Sequence, residues 1–213
     1  MKGHAGRRAP SFTPAVILII FCVLLGGLVT FGSIGTTQEQ AVLREFALRQ
    51  GQSPDWVITF FQGVSWAGDA AQRSIALIGF ALMLFWQRRW RTGLIMLIFP
   101  AMAGATSSLL KELFARARPD IVPHLDHFGN LSFPSGHATN AAAILILAAL
   151  LIPARHRSAW LALAVIGAGL VASSRVMLGV HWPSDVVAGF ALGLGFAIAG
   201  LTAARRWGDM PRR

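Results

Sequence analysis

Long apolar runs recur along this chain, and they constrain its fold more than any other feature of the sequence. The first, within residues 13–35, contains the uncharged stretch VILIIFCVLLGGLVTF. At a rise of about 1.5 Å per residue, a helix of roughly 20 apolar residues crosses the hydrocarbon core of a bilayer. Backbone groups in lipid must be satisfied within the spanning segment, so such runs predict membrane helices.

Five further apolar runs predict five more spans. The predicted bounds of the six spans are 13–35, 68–86, 93–113, 136–152, 159–175 and 184–203. A cleaved signal peptide is the alternative for the first run, but no A-x-A-like site follows it, and it is long for such a signal. The predicted fold is therefore an all-α, integral membrane six-helix bundle, with residues 1–213 in a single membrane domain.

The segment between the first two spans, residues 36–67, has a different composition. Charged residues such as Glu39 and Arg44 alternate there with apolar positions such as Leu43. This pattern predicts one or two amphipathic helices at the membrane interface. The aromatic side chains nearby, among them Trp66, are typical of the belt at the headgroup level.

Charge is scarce and unevenly placed. Only 13% of the residues are charged, against about 25% in a soluble domain. With six spans, the two termini and the loops 86–92 and 153–158 share one side, which holds twelve basic residues and one acidic residue, Asp209. The basic residues are Lys2, Arg7, Arg8, Arg88, Arg89, Arg91, Arg155, Arg157, Arg205, Arg206, Arg212 and Arg213. The positive-inside rule places both termini in the cytoplasm and explains the net charge of +10 without a nucleic-acid partner.

Three polar clusters lie on the opposite side, at the outer ends of spans three to six. They read Lys111-x6-Arg118-Pro119, Pro134-Ser135-Gly136-His137 and Ser174-Arg175-x5-His181-x3-Asp185. Each cluster alone has an ordinary explanation, such as snorkelling of a basic side chain or capping of a helix. Together they predict one polar site at the outer membrane face.

The cations and the helix start in these clusters are suited to phosphate. Lys111 and Arg118 are nearly two turns apart and face the same way if their helix continues to Pro119. Arg175 adds a planar fork that matches phosphate oxygens. The hydroxyl of Ser135 can donate to an oxygen, and Gly136 lets the backbone N–H groups of a helix start approach the anion.

Two histidines supply the chemistry that a bound phosphate needs. His137 is placed to give a proton to a leaving oxygen. Asp185 follows His181 by four residues, so its carboxylate can accept from one ring nitrogen and leave the other to attack. Arg116 and Glu112 fit no cluster and are predicted to face solvent or lipid headgroups.

The outer loop carries further polar residues, which are His124, His127, Asp120 and Asp126. They match no pattern of metal ligands, and a solvated loop or headgroup contacts are the prediction. The single cysteine, Cys22, lies within the first apolar run and supports no disulfide framework.

The three clusters resemble the tripartite signature of the type 2 phosphatidic acid phosphatase family, which is shared with vanadium haloperoxidases and glucose-6-phosphatases. The resemblance covers residues 111–185, and the six-span layout extends it over nearly the whole chain. It implies a hydrolase whose reaction passes through a phospho-histidine. The implied nucleophile is His181, which Asp185 orients, and the implied general acid is His137. The phosphate-binding residues that it implies are Lys111, Arg118, Ser135, Gly136 and Arg175. No metal and no cofactor are implied.

A phosphate at the outer headgroup level is expected to belong to a lipid. The family implies phosphatidic acid, phosphatidylglycerol phosphate, undecaprenyl diphosphate or lipid A phosphates as substrates, in a bacterial inner membrane with the site facing the periplasm. The expected partners are this substrate and membrane lipids. The alternatives are a lipid phosphotransferase, and a transporter or scaffold with a degenerate phosphatase fold. The sequence leaves the oligomeric state open.

Overall fold

The computed structural model describes residues 11–32, 36–127, 129 and 131–209. Within these ranges, the regular structure is helical apart from an isolated bridge between Ala117 and Leu131, so the predicted all-α class is confirmed. The helices are α1 (Thr13–Phe31), α2 (Thr36–Phe46), α3 (Asp55–Ala67), α4 (Ala70–Trp86), α5 (Trp90–Phe114), α6 (Gly136–Leu151), α7 (Ala154–Met177) and α8 (Pro183–Trp207). The basic residues that the topology counts at 2, 7, 8, 212 and 213 lie outside the described ranges.

Four of these helices are long and apolar enough to cross a membrane, namely α1, α5, α7 and α8. Helices α3 and α4 meet at an angle of 51° and together meet the same criteria as one broken span. Helix α6 is apolar but shorter. By length and composition the described residues therefore supply four or five spans, and the six-span topology stays a prediction.

Helix α8 lies at the centre of the bundle, and small residues let its neighbours approach closely. A Cβ atom on Gly193 would lie 2.2 Å from the carbonyl oxygen of Thr139 in α6. A Cβ atom on Gly195 would lie 3.2 Å from the carbonyl oxygen of Ala15 in α1. Lipid supplies no hydrophobic drive between helices, so such close backbone packing holds the bundle together.

Helix α5 ends close to the predicted bound at residue 113 and does not continue to Pro119, so Lys111 and Arg118 do not share a face of one helix. It ends at Phe114, because Ala115 adopts a left-handed conformation with φ of 44° and its N–H bonds to the carbonyl of Lys111. A left-handed residue after the last turn is a common way for a helix to end. The chain then folds back over the end of the bundle before α6 begins.

Candidate active site

A cavity of about 710 Å³ opens where α5 and α7 end and α6 and α8 begin. Six of the residues singled out from the sequence line it: Lys111, Arg118, Gly136, His137, Arg175 and His181. Ser135 and Asp185 are fully buried next to this wall. The fold therefore brings together residues separated by up to 70 positions in the chain.

His181 lies immediately before α8, and the first turn of that helix holds it. The Nδ1 atom of His181 is 3.2 Å from the Oδ2 atom of Asp185, and the same oxygen accepts from the backbone N–H of Trp182 at 3.0 Å. Both side chains of the pair are almost fully buried. A carboxylate at Nδ1 fixes the proton there and leaves a lone pair on Nε2, the arrangement that a nucleophilic imidazole needs.

The protonation of His181 follows from its burial. Removal from solvent lowers the pKa of His181 well below its ordinary value, against the opposing influence of Asp185. The folded protein therefore carries a neutral imidazole at neutral pH. A neutral ring is the nucleophilic form.

Arg116 does not face solvent or headgroups, so the prediction for it was wrong. Its Nη1 atom donates to Asp185 Oδ1 at 2.6 Å and to Ser184 Oγ at 2.7 Å, and its Nη2 atom donates to Glu39 Oε2 at 2.6 Å. The other oxygen of Glu39 accepts from the backbone N–H of Ser184 at 2.9 Å. Helix α2 thus lies over the start of α8, and its carboxylate completes a buried network around Asp185.

Arg175 is buried and held by the outer loop. Its Nη1 atom donates to Asp126 and to Ser65, and its Nη2 atom donates to the carbonyl oxygen of His127 at 3.2 Å. Asp126 is therefore not part of a solvated loop, contrary to the prediction. Although burial alone would raise the pKa of Asp126, the hydrogen bond from Ser65 and the charge of Arg175 hold it below its ordinary value.

Backbone carbonyl groups hold the other two cations. The Nζ atom of Lys111 donates to Leu131 O at 3.0 Å and to Ser132 O at 3.1 Å. The Nη2 atom of Arg118 donates to the same Leu131 oxygen at 3.0 Å, so the two cations converge although α5 ends between them. Burial and the charge of Arg175 lower the pKa of Arg118 to about 10, which leaves it charged at neutral pH.

His137 has a carboxylate partner that the sequence did not reveal. Its Nε2 atom is 2.9 Å from the Oδ1 atom of Asp69, which lies at the break between α3 and α4. Gly68 permits this approach, because a Cβ atom there would lie 2.9 Å from Cδ2 of His137. The site therefore contains two histidine–carboxylate pairs, one on each histidine.

The start of α6 is open to a ligand. A Cβ atom on Gly136 would have no neighbour within 4 Å among the described residues, so the backbone there is accessible from the cavity. The Oγ atom of Ser135 is buried and has no hydrogen-bond partner in the described part of the chain. A helix start with free N–H groups and an unsatisfied hydroxyl is suited to bind an anion.

A sequence model of the PAP2 superfamily matches residues 92–209, more than half of the chain. The chain belongs to the PAP2 superfamily. It is 33% identical over 187 residues to phosphatidylglycerophosphatase B of Bacillus subtilis, covering 84% of this chain and 89% of the relative. It is 31% identical over 199 residues to a lipid A 1-phosphatase of Rhizobium etli, covering 86% and 81%.

A solved structure gives the same assignment for the fold. The crystal structure of a transmembrane PAP2 type phosphatidylglycerolphosphate phosphatase from Bacillus subtilis superposes with a TM-score of 0.82 at 27% identity, over 93% of this chain and 99% of that one. This PAP2 protein is therefore a membrane protein and a phosphatase. The predicted family and enzyme class are confirmed.

Several residues that contact the site residues were not predicted to do so, among them Glu39, Asp69, Arg116, Asp126 and Ser132. The hydroxyl of Ser132 donates to Asp185 Oδ2. For Asp69 a signal existed, because a charge at the start of an apolar span needs shielding by protein. Glu39 and Arg116 are 77 positions apart, and no local pattern connects them.

Proposed function

We propose that this PAP2 protein hydrolyses a phosphate ester or diphosphate of a membrane lipid, with His181 as the nucleophile. One observation carries the proposal: His181 and His137 line a single cavity together with Lys111, Arg118 and Arg175. Phosphoryl transfer depends on positioning and on stabilising charge over the equatorial oxygens. Arg175, which is buried, the partly buried Lys111 and Arg118, and a helix start can provide that stabilisation.

The reaction has two steps. Nε2 of His181 attacks phosphorus in line, an N–P bond forms, the P–O bond to the leaving group breaks, and His137 gives a proton to the leaving oxygen. Water then attacks phosphorus while His137 takes a proton from the water, the N–P bond breaks to restore His181, and inorganic phosphate leaves. Asp185 keeps the proton of His181 on Nδ1 throughout, and the three cations hold the equatorial oxygens without a metal ion.

The lipid substrate is inferred from the relatives and from the position of the site. The relatives named above act on lipid phosphates, and an undecaprenyl-diphosphatase of Sulfolobus acidocaldarius is 33% identical over 118 residues. The site lies at the helix ends opposite to Arg88, Arg155 and Arg205. With the positive-inside rule, this arrangement supports a site on the periplasmic face of a bacterial inner membrane, with both termini in the cytoplasm.

Phosphate release from purified lipid phosphates in detergent tests the proposal. The panel is phosphatidylglycerol phosphate, phosphatidic acid and undecaprenyl diphosphate, with no added acceptor. The wild-type protein is expected to release inorganic phosphate from at least one, and His181→Ala to lose at least about 1000-fold in kcat. Equal release by the two proteins would refute the role of His181, and transfer without release would favour a phosphotransferase.

A further inference from the structure

A cation outside the three signature clusters also faces the catalytic cavity. Arg73, in the first turn of α4, lines the cavity together with His137 and Lys111. Within the described residues its guanidinium has no hydrogen bond and no ion pair, in contrast to Arg116 and Arg175, which are both held by carboxylates. Its donors are therefore available to a ligand.

The position of Arg73 along the cavity is set by Asp69. The backbone N–H of Arg73 bonds to the carbonyl of Asp69 at 3.1 Å, so the two side chains lie one helical turn apart on the same face. Asp69 contacts His137 at 2.9 Å. Arg73 thus lies one helical turn beyond the residue that contacts His137, the histidine that we propose to protonate the leaving group.

Arg73 also connects the polar cavity to an apolar one. It lines a second cavity of about 330 Å³, whose other walls are largely apolar and include Ala76, Ile144 and Leu170. The polar cavity, Arg73 and the apolar cavity lie in the same order as the terminal phosphate, the inner phosphate and the hydrocarbon chain of a lipid diphosphate. Its inner phosphate lies between the terminal phosphorus, which is attacked, and the hydrocarbon chain.

In-line attack by His181 requires the leaving oxygen to lie on the opposite side of phosphorus, beside His137. The rest of the leaving group then extends away from His181, towards Arg73 and the apolar cavity. We propose that Arg73 binds the inner phosphate of a lipid diphosphate and stabilises it as the leaving group. The inference rests on the proposed function and adds a preference for substrates that have a second phosphate.

The chemistry of the leaving group makes this preference measurable. In a diphosphate, the N–P bond to His181 forms as the bond between the bridging oxygen and the terminal phosphorus breaks, so the lipid monophosphate leaves in this first step. Water later breaks the N–P bond and releases inorganic phosphate. A phosphate monoester has a second pKa of about 6, so it can leave as an anion when a cation is near. The leaving group of a lipid monophosphate would be an alkoxide, which is a poor leaving group without a proton. A monophosphate substrate therefore depends more on the proton from His137.

The test compares two substrates that differ only by one phosphate, farnesyl diphosphate and farnesyl monophosphate. For each variant, kcat/KM is measured for both substrates on the same preparation in detergent, so that any inactive fraction cancels from the ratio. Arg73→Gln is expected to lower the diphosphate-to-monophosphate ratio by about 10- to 100-fold, the usual loss for a hydrogen bond between charged groups. Arg73→Lys, which keeps the charge, is expected to recover most of it.

The controls separate this inference from the proposed function. Arg44→Gln removes an exposed arginine of α2 that does not line the cavity, and the ratio is expected to stay at the wild-type value. His137→Gln is expected to shift the ratio the other way. An unchanged ratio in Arg73→Gln would overturn the inference while phosphatase activity in the wild type stands. Absence of phosphate release from both substrates by the wild type would refute both.

Discussion

Arg116 and Asp185 form a buried ion pair, with 2.6 Å between Arg116 Nη1 and Asp185 Oδ1. The pair occupies one oxygen of the carboxylate and leaves the other, Oδ2, to His181. Burying a carboxylate is costly unless cations or hydrogen bonds compensate it. The carboxylate that we propose to orient the nucleophile is therefore itself held by an arginine outside the signature, and that arginine is anchored by Glu39 of α2.

Removing the cation of this pair should impair catalysis more than substrate binding. In Arg116→Gln, Asp185 and Glu39 lose their shared partner, which destabilises a protein by about 3 kcal/mol for a buried pair. We expect a lower melting temperature, a fall in kcat of about tenfold or more, and little change in KM. Thermal unfolding and steady-state kinetics in detergent measure both effects, with Arg44→Gln as control. A folded variant with wild-type kcat would show that Arg116 does not position Asp185.

Asp126 holds Arg175, for which we propose a role in binding phosphate, so we expect the two anions to compete for its guanidinium. In Asp126→Asn the buried guanidinium keeps its charge and loses its carboxylate. We expect a lower melting temperature without ligand and a larger upward shift on adding inorganic phosphate than in the wild type, because binding stabilises the folded state. Asp209→Asn, at the opposite end of the bundle, is the control. Equal shifts in the two variants would contradict the competition.

The lowered pKa of His181 predicts how stability depends on pH. The folded state keeps this ring neutral, whereas the unfolded chain protonates it below about pH 6.5. The unfolded state then binds one more proton, so stability falls as pH decreases from 6.5, by about 1.4 kcal/mol per pH unit for one such group. As the pH is lowered from 8 to 5, the melting temperature should fall less steeply in His181→Gln than in the wild type. Parallel curves for the variant and the wild type would exclude this contribution.

Close packing of α6 on α8 predicts a steric effect at a distance from the chemistry. In Gly193→Ala the new methyl group meets the backbone oxygen of Thr139 at 2.2 Å, so the helices must separate. We expect a loss of about 1–3 kcal/mol of stability and reduced activity, because these helices carry His137 and Asp185. Gly169→Ala in α7, where a Cβ atom has no described neighbour within 4 Å, is the control. A thermal scan in detergent that shows equal stability for both variants would refute the steric argument.

The sequence correctly predicted features that depend on residues close to one another in the chain. The cluster of His181 and Asp185 predicted a histidine–carboxylate contact, and the structure shows it. The apolar runs predicted the long helices, because lipid demands uncharged segments of that length. These features depend on local sequence alone.

The remaining features depend on tertiary placement. Nothing near Ala115 indicates a left-handed residue, because alanine usually continues a helix, and so the turn that separates Lys111 from Arg118 could not be predicted. The contact of Glu39 with Arg116 requires α2 to fold over α8, which no periodicity encodes. Asp126 resembled a solvated loop residue, since its partner Arg175 is 49 positions away.

We propose that the phosphoryl group is transferred through a covalent bond to Nε2 of His181. The most direct measurement is to mix the protein with a lipid phosphate, quench within milliseconds in alkali, where phospho-histidine survives, and map the phosphorylated peptide by mass spectrometry. We expect one phosphoryl group on His181 in the wild type and none in His181→Ala. Rapid turnover with no phosphorylated histidine, or with the label on His137 instead, would contradict it.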